Sequence, residues 1–212
     1  MSSSLAALQI ADWRRLVTGL YAGVRQLSAT SPASGHELWR SGRDELFAGH
    51  PSSPLLRDAR AAFTGLPIAA YDPDWRFEVE VHRAEQPHRM NVETGTDGTV
   101  PFDLVGTVRL PYLGSLDVWR LASYGGGLFL PLKDALAGKS DGTYGGGRYL
   151  LDTIKGADLG PGTGDDSLIL DFNFAYNPSC AYDPMWACPL PQGGNIIDVE
   201  VPVGELYHGD HF

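Results

Sequence analysis

Residues 75–82 read Trp-Arg-Phe-Glu-Val-Glu-Val-His, and this stretch decides the fold. The apolar side chains at positions 75, 77, 79 and 81 alternate with polar ones, so one face of the segment is apolar and the other is polar. This period of two predicts a half-buried β-strand. Upstream, apolar residues recur every three or four positions instead. The chain is therefore expected to change from helical to β structure here.

Further strands are predicted along the rest of the chain. The pair Asp97-Gly98 is a strong hairpin signal between the second and third of them. Because no helical segment separates the strands, they are expected to pair antiparallel in a sandwich or a barrel. After the first strand, the predicted ones span residues 90–93, 99–104, 105–110, 115–123, 127–130, 148–152, 168–174 and 195–203.

Helical segments precede the strands. Apolar residues at steps of three and four predict an amphipathic helix over 5–27. A second helix is expected from near Ser34 to Gly49, with Pro51 just beyond its end, and a short third one over 56–63. The prediction is an α+β fold, with N-terminal helices packed on an antiparallel β barrel or sandwich. One domain is expected over 1–212, comprising a mainly helical segment (1–66), a β-rich core (67–205) and a tail (206–212).

The net charge excludes some classes of partner. The 16 Lys and Arg residues are outnumbered by 26 Asp and Glu residues, which gives a net charge of −10. Nucleic acids and anionic membranes both require clustered positive charge, so neither is an expected partner. The sequence has no signal peptide and no apolar run of the roughly 18 residues that span a bilayer. A cytoplasmic protein is expected, and a homo-oligomer is compatible with the sequence.

Several long motifs carry a family resemblance. They are Thr-Tyr-Gly-Gly-Gly-Arg-Tyr-Leu at 143–150, Asp-Phe-Asn-Phe-Ala-Tyr-Asn-Pro-Ser-Cys-Ala-Tyr at 171–182, Cys-Pro-Leu-Pro at 188–191 and Val-Gly-Glu at 203–205. With earlier segments such as 43–47 and 50–55, they closely resemble a bacterial family catalogued as domain of unknown function number 1684. The resemblance covers roughly residues 38–205, and it implies no particular reaction. The chain departs from many relatives at Gln-Gly-Gly-Asn (192–195), where they resemble Pro-Pro-Glu-Asn.

The segment 171–177 suggests a polar pocket. In an alternating strand, Asp171, Asn173 and Asn177 share one face, while Phe172 and Phe174 share the other. In a barrel, the polar face would line a cavity. The alternative is that this face points to solvent while the phenylalanines fill the core.

Arg148 is the second candidate for a ligand contact. It follows the glycine triplet 145–147, and an arginine beside exposed backbone amides suits a carboxylate or phosphate. The alternative is a structural salt bridge to Asp171 or Asp152. The earlier triplet 125–127 is interpreted as a turn. Glu205 is expected to pair with Arg43 or Arg148.

Cys180 and Cys188 leave several interpretations open. A metal site would need other ligands, such as Asp183, His208 or His211, to complete it. A disulfide and a pair of buried free thiols are the other main alternatives. A catalytic nucleophile would need a neighbouring base, and no histidine lies within this segment.

The leading hypothesis is an enzyme or binding protein for a small anionic organic molecule. Asp171 would carry acid–base chemistry, Arg148 would anchor the anion, and the loop 180–188 would form a wall. No cofactor is indicated by any motif. The alternative is a structural or interaction module whose Arg, Asp and Asn side chains form an internal hydrogen-bond network. Full burial and mutual pairing would favour that alternative. The predicted pocket residues are Arg148, Tyr149, Asp171, Asn173, Tyr176 and Asn177.

Overall fold

The N-terminal third is helical in the computed structural model, which describes residues 3–94 and 98–208. Helix α1 spans Ser3–Ser28, α2 spans Pro32–Gly49 and α3 spans Arg57–Ala62. Pro32 is the first residue of α2. At this position a backbone N–H would have no acceptor within the helix, so a proline costs no helical hydrogen bond. Among the described residues, no helix combines the length and apolar character that crossing a membrane requires.

An antiparallel sheet follows the helices and curls into a half-barrel. Its hydrogen-bonded order is β6-β5-β4-β3-β1-β7, and β2 pairs with β3 off this path. The α+β class with helices packed on a barrel-like sheet is therefore confirmed. The strands are β1 (Arg76–Arg83), β2 (Arg89–Thr94), β3 (Gly98–Leu110), β4 (Gly114–Leu121), β5 (Leu128–Leu132), β6 (Arg148–Asp152) and β7 (Ser167–Asp171).

The β2–β3 hairpin is present, with Thr94 paired to Gly98. Its predicted turn residue Asp97 lies outside the described residues. The two strands predicted at 99–104 and 105–110 are one continuous strand, β3, which is interrupted only by a β-bulge between Leu104 and Gly106.

Two predicted strands are corrected by the structure. The strand predicted over 168–174 ends at Asp171, whose side chain accepts a hydrogen bond from the Asn173 amide and caps the 3₁₀ helix Phe172–Phe174. Alternation therefore stops there, and Asp171, Phe172 and Asn173 are all buried instead of lying on two faces. The predicted strand at 195–203 forms no strand. The carbonyls of Val201 and Val203 accept hydrogen bonds from the Arg148 side chain instead of a neighbouring strand.

Two apolar layers hold the fold together. Between the helices and the sheet, Val24 and Trp39 pack with Phe174, and the Trp39 indole donates to the Tyr21 hydroxyl at 2.9 Å. Inside the half-barrel, aliphatic side chains from successive strands form the largest buried cluster. It includes Val79, Val108, Leu116, Leu130, Leu132 and Leu170.

Candidate functional site

A pocket of about 430 Å³ lies at one end of the half-barrel, where β1 ends and β5 and β7 begin. It continues the apolar interior outwards, because its aliphatic lining packs against the buried core. The mouth of a β-barrel is a common position for a small-molecule site. The aliphatic lining consists of Val81, Val105, Val118, Leu128 and Leu168.

Arg83 is the one cation in the described lining of this pocket. It continues the inward-facing row of β1, in which Phe77, Val79 and Val81 all contact the core. Its register partner on β3 is Gly106. The Arg83 side chain is exposed and makes no ion pair with any described carboxylate. An inward-facing row of apolar residues thus ends in a guanidinium without an ion-pair partner at the mouth of the pocket.

The β-bulge of β3 shapes the pocket wall. Leu104 pairs with Trp119 and Gly106 pairs with Val118, so Val105 is the extra residue, and it lines the pocket. Gly106 allows β1 to approach, since a Cβ atom there would lie 2.3 Å from the carbonyl oxygen of His82. The bulge therefore both turns Val105 towards the pocket and brings the two strands together.

The opposite lip of the pocket is polar. Asp165 and Asp166 are exposed, and the Asp166 carbonyl accepts a hydrogen bond from the Val81 amide at 2.8 Å. The Ser167 hydroxyl donates to the Gly164 carbonyl at 2.8 Å, so it is held by its own turn. This lip offers oxygen acceptors to a ligand, while Arg83 offers donors.

Arg148 lies away from this pocket and is fully buried. Its guanidinium forms an ion pair with Asp134 at 3.0 Å and donates to the carbonyls of Val201, Val203 and Glu205. The partner is thus Asp134, not the expected Asp171 or Asp152. These contacts tie β6 to the C-terminal segment and have the form of an internal network.

Asp171 and Asn173 form a second buried cluster, near the start of β1. Asp171 pairs with Arg76 at 3.1 Å and accepts the Asn173 side-chain amide at 2.8 Å. Burial raises the pKa of the Asp171 carboxyl, and the hydrogen bonds from Asn173 and Arg76 oppose that effect. Asn173 also binds the backbone of Asp72 through both ends of its amide. Both side chains are fully buried and satisfied within the chain.

Asn177 belongs to a third cluster, which is centred on Glu205. The Glu205 carboxylate is fully buried, pairs with Arg43 at 2.6 Å and accepts the Asn177 amide at 3.1 Å. It also accepts the Tyr182 hydroxyl. Of the two partners expected for Glu205, Arg43 is the one found, and Arg148 meets only its backbone carbonyl.

Tyr149 and Tyr176 are brought together with the cysteines in a fourth cluster. The two tyrosines exchange backbone hydrogen bonds of 2.8 and 3.0 Å, and their rings meet edge to face at 5.7 Å. Both rings pack in the aromatic cluster that also contacts Cys188. The predicted residues are therefore divided among four buried clusters, so a shared role in one ligand site stays a prediction.

Sequence reasoning missed the pocket at the barrel mouth, although one signal for it was present. Arg83 lies two residues beyond Val81, so in an alternating strand its side chain points to the same face as the apolar residues of β1. A charge in that phase is informative, because isolated charges are rarely placed on an inward row without a partner. No periodic signal marks Val105, because the bulge changes the phase of β3.

Comparisons with known proteins agree with the resemblance in the motifs. A family model described as protein of unknown function (DUF1684) matches residues 61–206. The solution NMR structure of an uncharacterized protein from gene locus rrnAC0354 of Haloarcula marismortui is 35% identical. The match covers 81% of this chain and 92% of that chain, with a TM-score of 0.57. No curated protein matches the chain.

Proposed function

This chain belongs to the family described as protein of unknown function (DUF1684), and we propose that it binds a small organic acid at the mouth of its half-barrel. The observation that carries this proposal is the unpaired Arg83 at the end of an inward-facing apolar row. The proposed ligand has an aliphatic or aromatic body and one carboxylate. A cytoplasmic setting is part of the same proposal.

The chemistry of the lining selects this class of ligand. The five aliphatic side chains favour an apolar body, because covering them removes apolar surface from water. Arginine offers two parallel N–H groups that match a carboxylate. In a chain of net charge −10, an arginine without an ion-pair partner beside an apolar pocket is a specific feature, not part of a general basic surface.

The size and the lip of the pocket narrow the ligand further. A volume of about 430 Å³ falls in the range of small-molecule pockets, roughly 300–1,000 Å³. Asp165 and Asp166 would repel a second anionic group near them, but they accept hydrogen bonds from a hydroxyl or ammonium group. A monocarboxylate with a hydroxyl or amino substituent therefore fits better than a dicarboxylate.

Binding is proposed in preference to catalysis at this pocket. The described lining contains no histidine or cysteine, and the Ser167 hydroxyl is occupied by Gly164. A nucleophile there would lack the adjacent base that activates a serine. The lining thus provides recognition groups without a catalytic pair.

The proposal is tested by titrating ¹⁵N-labelled protein with a medium-chain carboxylic acid and following the NMR chemical shifts of the backbone amides. We expect the largest shifts at the ends of β1 and β7, and no saturable binding of the matching primary amide. Arg83→Gln should weaken binding about ten-fold or more, since a hydrogen bond to a charged group contributes about 1.5–3 kcal/mol. Arg109→Gln is the matched control, because Arg109 is exposed on β3 and lies outside the pocket lining.

Two outcomes would reject this proposal. The first is that Arg83→Gln binds the acid as tightly as wild type. The second is that the shifts map to the Arg148 or Asp171 clusters, which would favour the site predicted from the sequence. Val105→Phe provides a further check, because filling the pocket should abolish binding while circular dichroism shows an intact fold.

A further inference from the structure

The two cysteines lie together although eight positions separate them. Cys180 sits in the short 3₁₀ helix Ser179–Ala181, and Cys188 lies in the irregular segment that follows. Both residues are free and only partly buried. Reagents of small size can therefore reach a site at which the chain has brought two thiols together.

Their contact geometry is that of a pair able to form a disulfide. The Cys180 backbone amide donates a hydrogen bond to the Cys188 sulfur at 3.4 Å. Since an amide nitrogen lies about 1.5 Å from its Cα, the Cys188 sulfur is at most about 5 Å from the Cys180 Cα atom. A disulfide requires the two Cα atoms to lie within about 7 Å of each other, and this close approach of the Cys188 sulfur to the Cys180 backbone is compatible with that requirement.

The surroundings make the two thiols unequal. The Cys180 side chain and backbone amide face the Cys188 sulfur, the amide donating a hydrogen bond to it at 3.4 Å, and the positive charge of Lys155 lies nearby. Together these contacts lower the pKa of the Cys188 thiol to about 6. Hydrogen bonding to Cys188 and burial raise the pKa of the Cys180 thiol. One sulfur is thus prepared to be a thiolate while the other keeps its proton.

We propose that Cys188 and Cys180 form a redox-active dithiol that reduces low-molecular-weight disulfides. The Cys188 thiolate attacks one sulfur of the small disulfide, which forms a mixed disulfide and releases the first thiolate. The Cys180 thiol then loses its proton to the solvent, and the resulting thiolate attacks the Cys188 sulfur, which releases the second thiolate. Two electrons pass from the protein to the small disulfide, which becomes two thiols, and the protein keeps a Cys180–Cys188 disulfide.

A metal site fits the same cysteines less well. Within residues 3–94 and 98–208, no group of three or more His, Cys, Asp or Glu side chains is placed to hold a metal ion. His211, one of the ligands considered from the sequence, lies outside that range. Two neighbouring cysteines whose thiols differ in proton affinity suit thiol–disulfide exchange directly.

The test is to equilibrate the full chain with mixtures of reduced and oxidised glutathione, followed by acid quenching, alkylation and peptide mass mapping. We expect one intramolecular disulfide between Cys180 and Cys188 in the oxidising mixtures. In Cys180→Ser, glutathione should remain attached to Cys188, because the resolving thiol is missing. In Cys188→Ser, Cys180 should react with oxidised glutathione about ten-fold more slowly than Cys188 does in Cys180→Ser.

The pH dependence of iodoacetamide alkylation is the second measurement. In Cys180→Ser the backbone amide that donates to Cys188 is retained, so alkylation of Cys188 should remain fast at neutral pH. The proposal is overturned if both cysteines stay reduced in the oxidising mixtures while the chain remains folded. Equal reaction rates of Cys180→Ser and Cys188→Ser, each with an unchanged thermal melting temperature, would also overturn it.

Discussion

Arg148 shows how a single buried charge can organise a segment without regular structure. Its fully buried guanidinium meets Asp134 and three backbone carbonyls between Val201 and Glu205. Removing a charge from water is costly, and this many well-placed acceptors are what allows it. Carbonyls that a strand ladder would have used are therefore satisfied by a side chain. That exchange explains why the chain at Val201 and Val203 forms no strand.

Asp152 leads to a prediction about pH. Burial raises the pKa of its carboxyl, and the charge of Lys155 opposes this only in part. The pKa of Asp152 is therefore higher in the folded than in the unfolded chain, so protonation of this carboxyl favours the folded state. This stabilisation is complete below about pH 4, where the carboxyl is protonated in both states, and it is lost as the pH rises through the pKa of the folded state. We expect Asp152→Asn to become more stable than wild type as pH increases. Denaturant unfolding at a series of pH values between about 3 and 8 measures the difference.

Asp103→Asn is the control of opposite sign. Asp103 pairs with Arg89 at 2.7 Å and Arg120 at 3.2 Å, and the hydrogen bond from Arg89 lowers its pKa. The ionised Asp103 carboxylate therefore stabilises the folded chain at pH values above its pKa in the unfolded chain. This stabilisation is lost as the pH falls through its pKa in the folded chain. A pH-independent difference between Asp152→Asn and wild type would show that burial does not shift this carboxyl.

At the level of elements, periodicity identified most of the fold. The alternation at 75–82 and the helical steps at 5–27 correspond to β1 and α1. The buried positions follow these periods, with Val79 buried in β1 and Tyr21 and Val24 buried in α1. Periodicity failed at 171–177 and 195–203. There Asp171 caps a 3₁₀ helix, and the Asn195 side chain accepts a hydrogen bond from the Trp119 indole at 2.8 Å. The segment after Asn195 makes an isolated bridge between Ile196 and Lys133 instead of a strand.

The candidate site was less predictable than the fold for a related reason. The pocket depends on how β1, β3 and β7 converge, and the bulge at Val105 changes the phase of one of them. Only Arg83 could have been singled out from the sequence, by its phase in β1. The thiol pair was visible as two cysteines, but their contact depends on the path of an irregular loop.

Gly106 allows the bulge itself to be tested. A methyl group at this position would lie 2.3 Å from the His82 carbonyl oxygen, which belongs to the backbone of β1 and cannot rotate away. We expect Gly106→Ala to lower the free energy of unfolding by about 1–3 kcal/mol, as overpacking does. Chemical denaturation followed by circular dichroism measures this change.

Gly19→Ala supplies the comparison for that substitution. Gly19 lies in α1, and apart from the adjacent residues and the backbone of the helix itself nothing lies within 4 Å of an added Cβ, so alanine should raise the free energy of unfolding by about 0.5–1 kcal/mol. If Gly106→Ala had the same free energy of unfolding as Gly19→Ala, β1 and β3 could move apart without loss of stability, and the close-approach argument would be wrong.

Across the whole molecule, Arg43 joins the helices to the C-terminal segment. It projects from α2, and its guanidinium lies 5.1 Å from the ring centres of Trp39, Phe47 and Tyr176. Its ion pair with Glu205 is almost completely shielded, because the two side chains are 11% and 0% exposed. The helical layer and the barrel thus share one buried charge pair.

Breaking this pair should destabilise the whole fold. In Arg43→Leu, Glu205 would remain buried without a counter-charge, so we expect the free energy of unfolding to fall by about 3–5 kcal/mol. Arg40→Leu is the control, because Arg40 forms an exposed pair with Glu37 and should contribute less than about 1 kcal/mol. Equal denaturation midpoints for the two variants would contradict the shared-pair argument. Adding Glu205→Gln to Arg43→Leu removes the unpaired charge but keeps an acceptor for Tyr182, so the double variant should regain part of the loss.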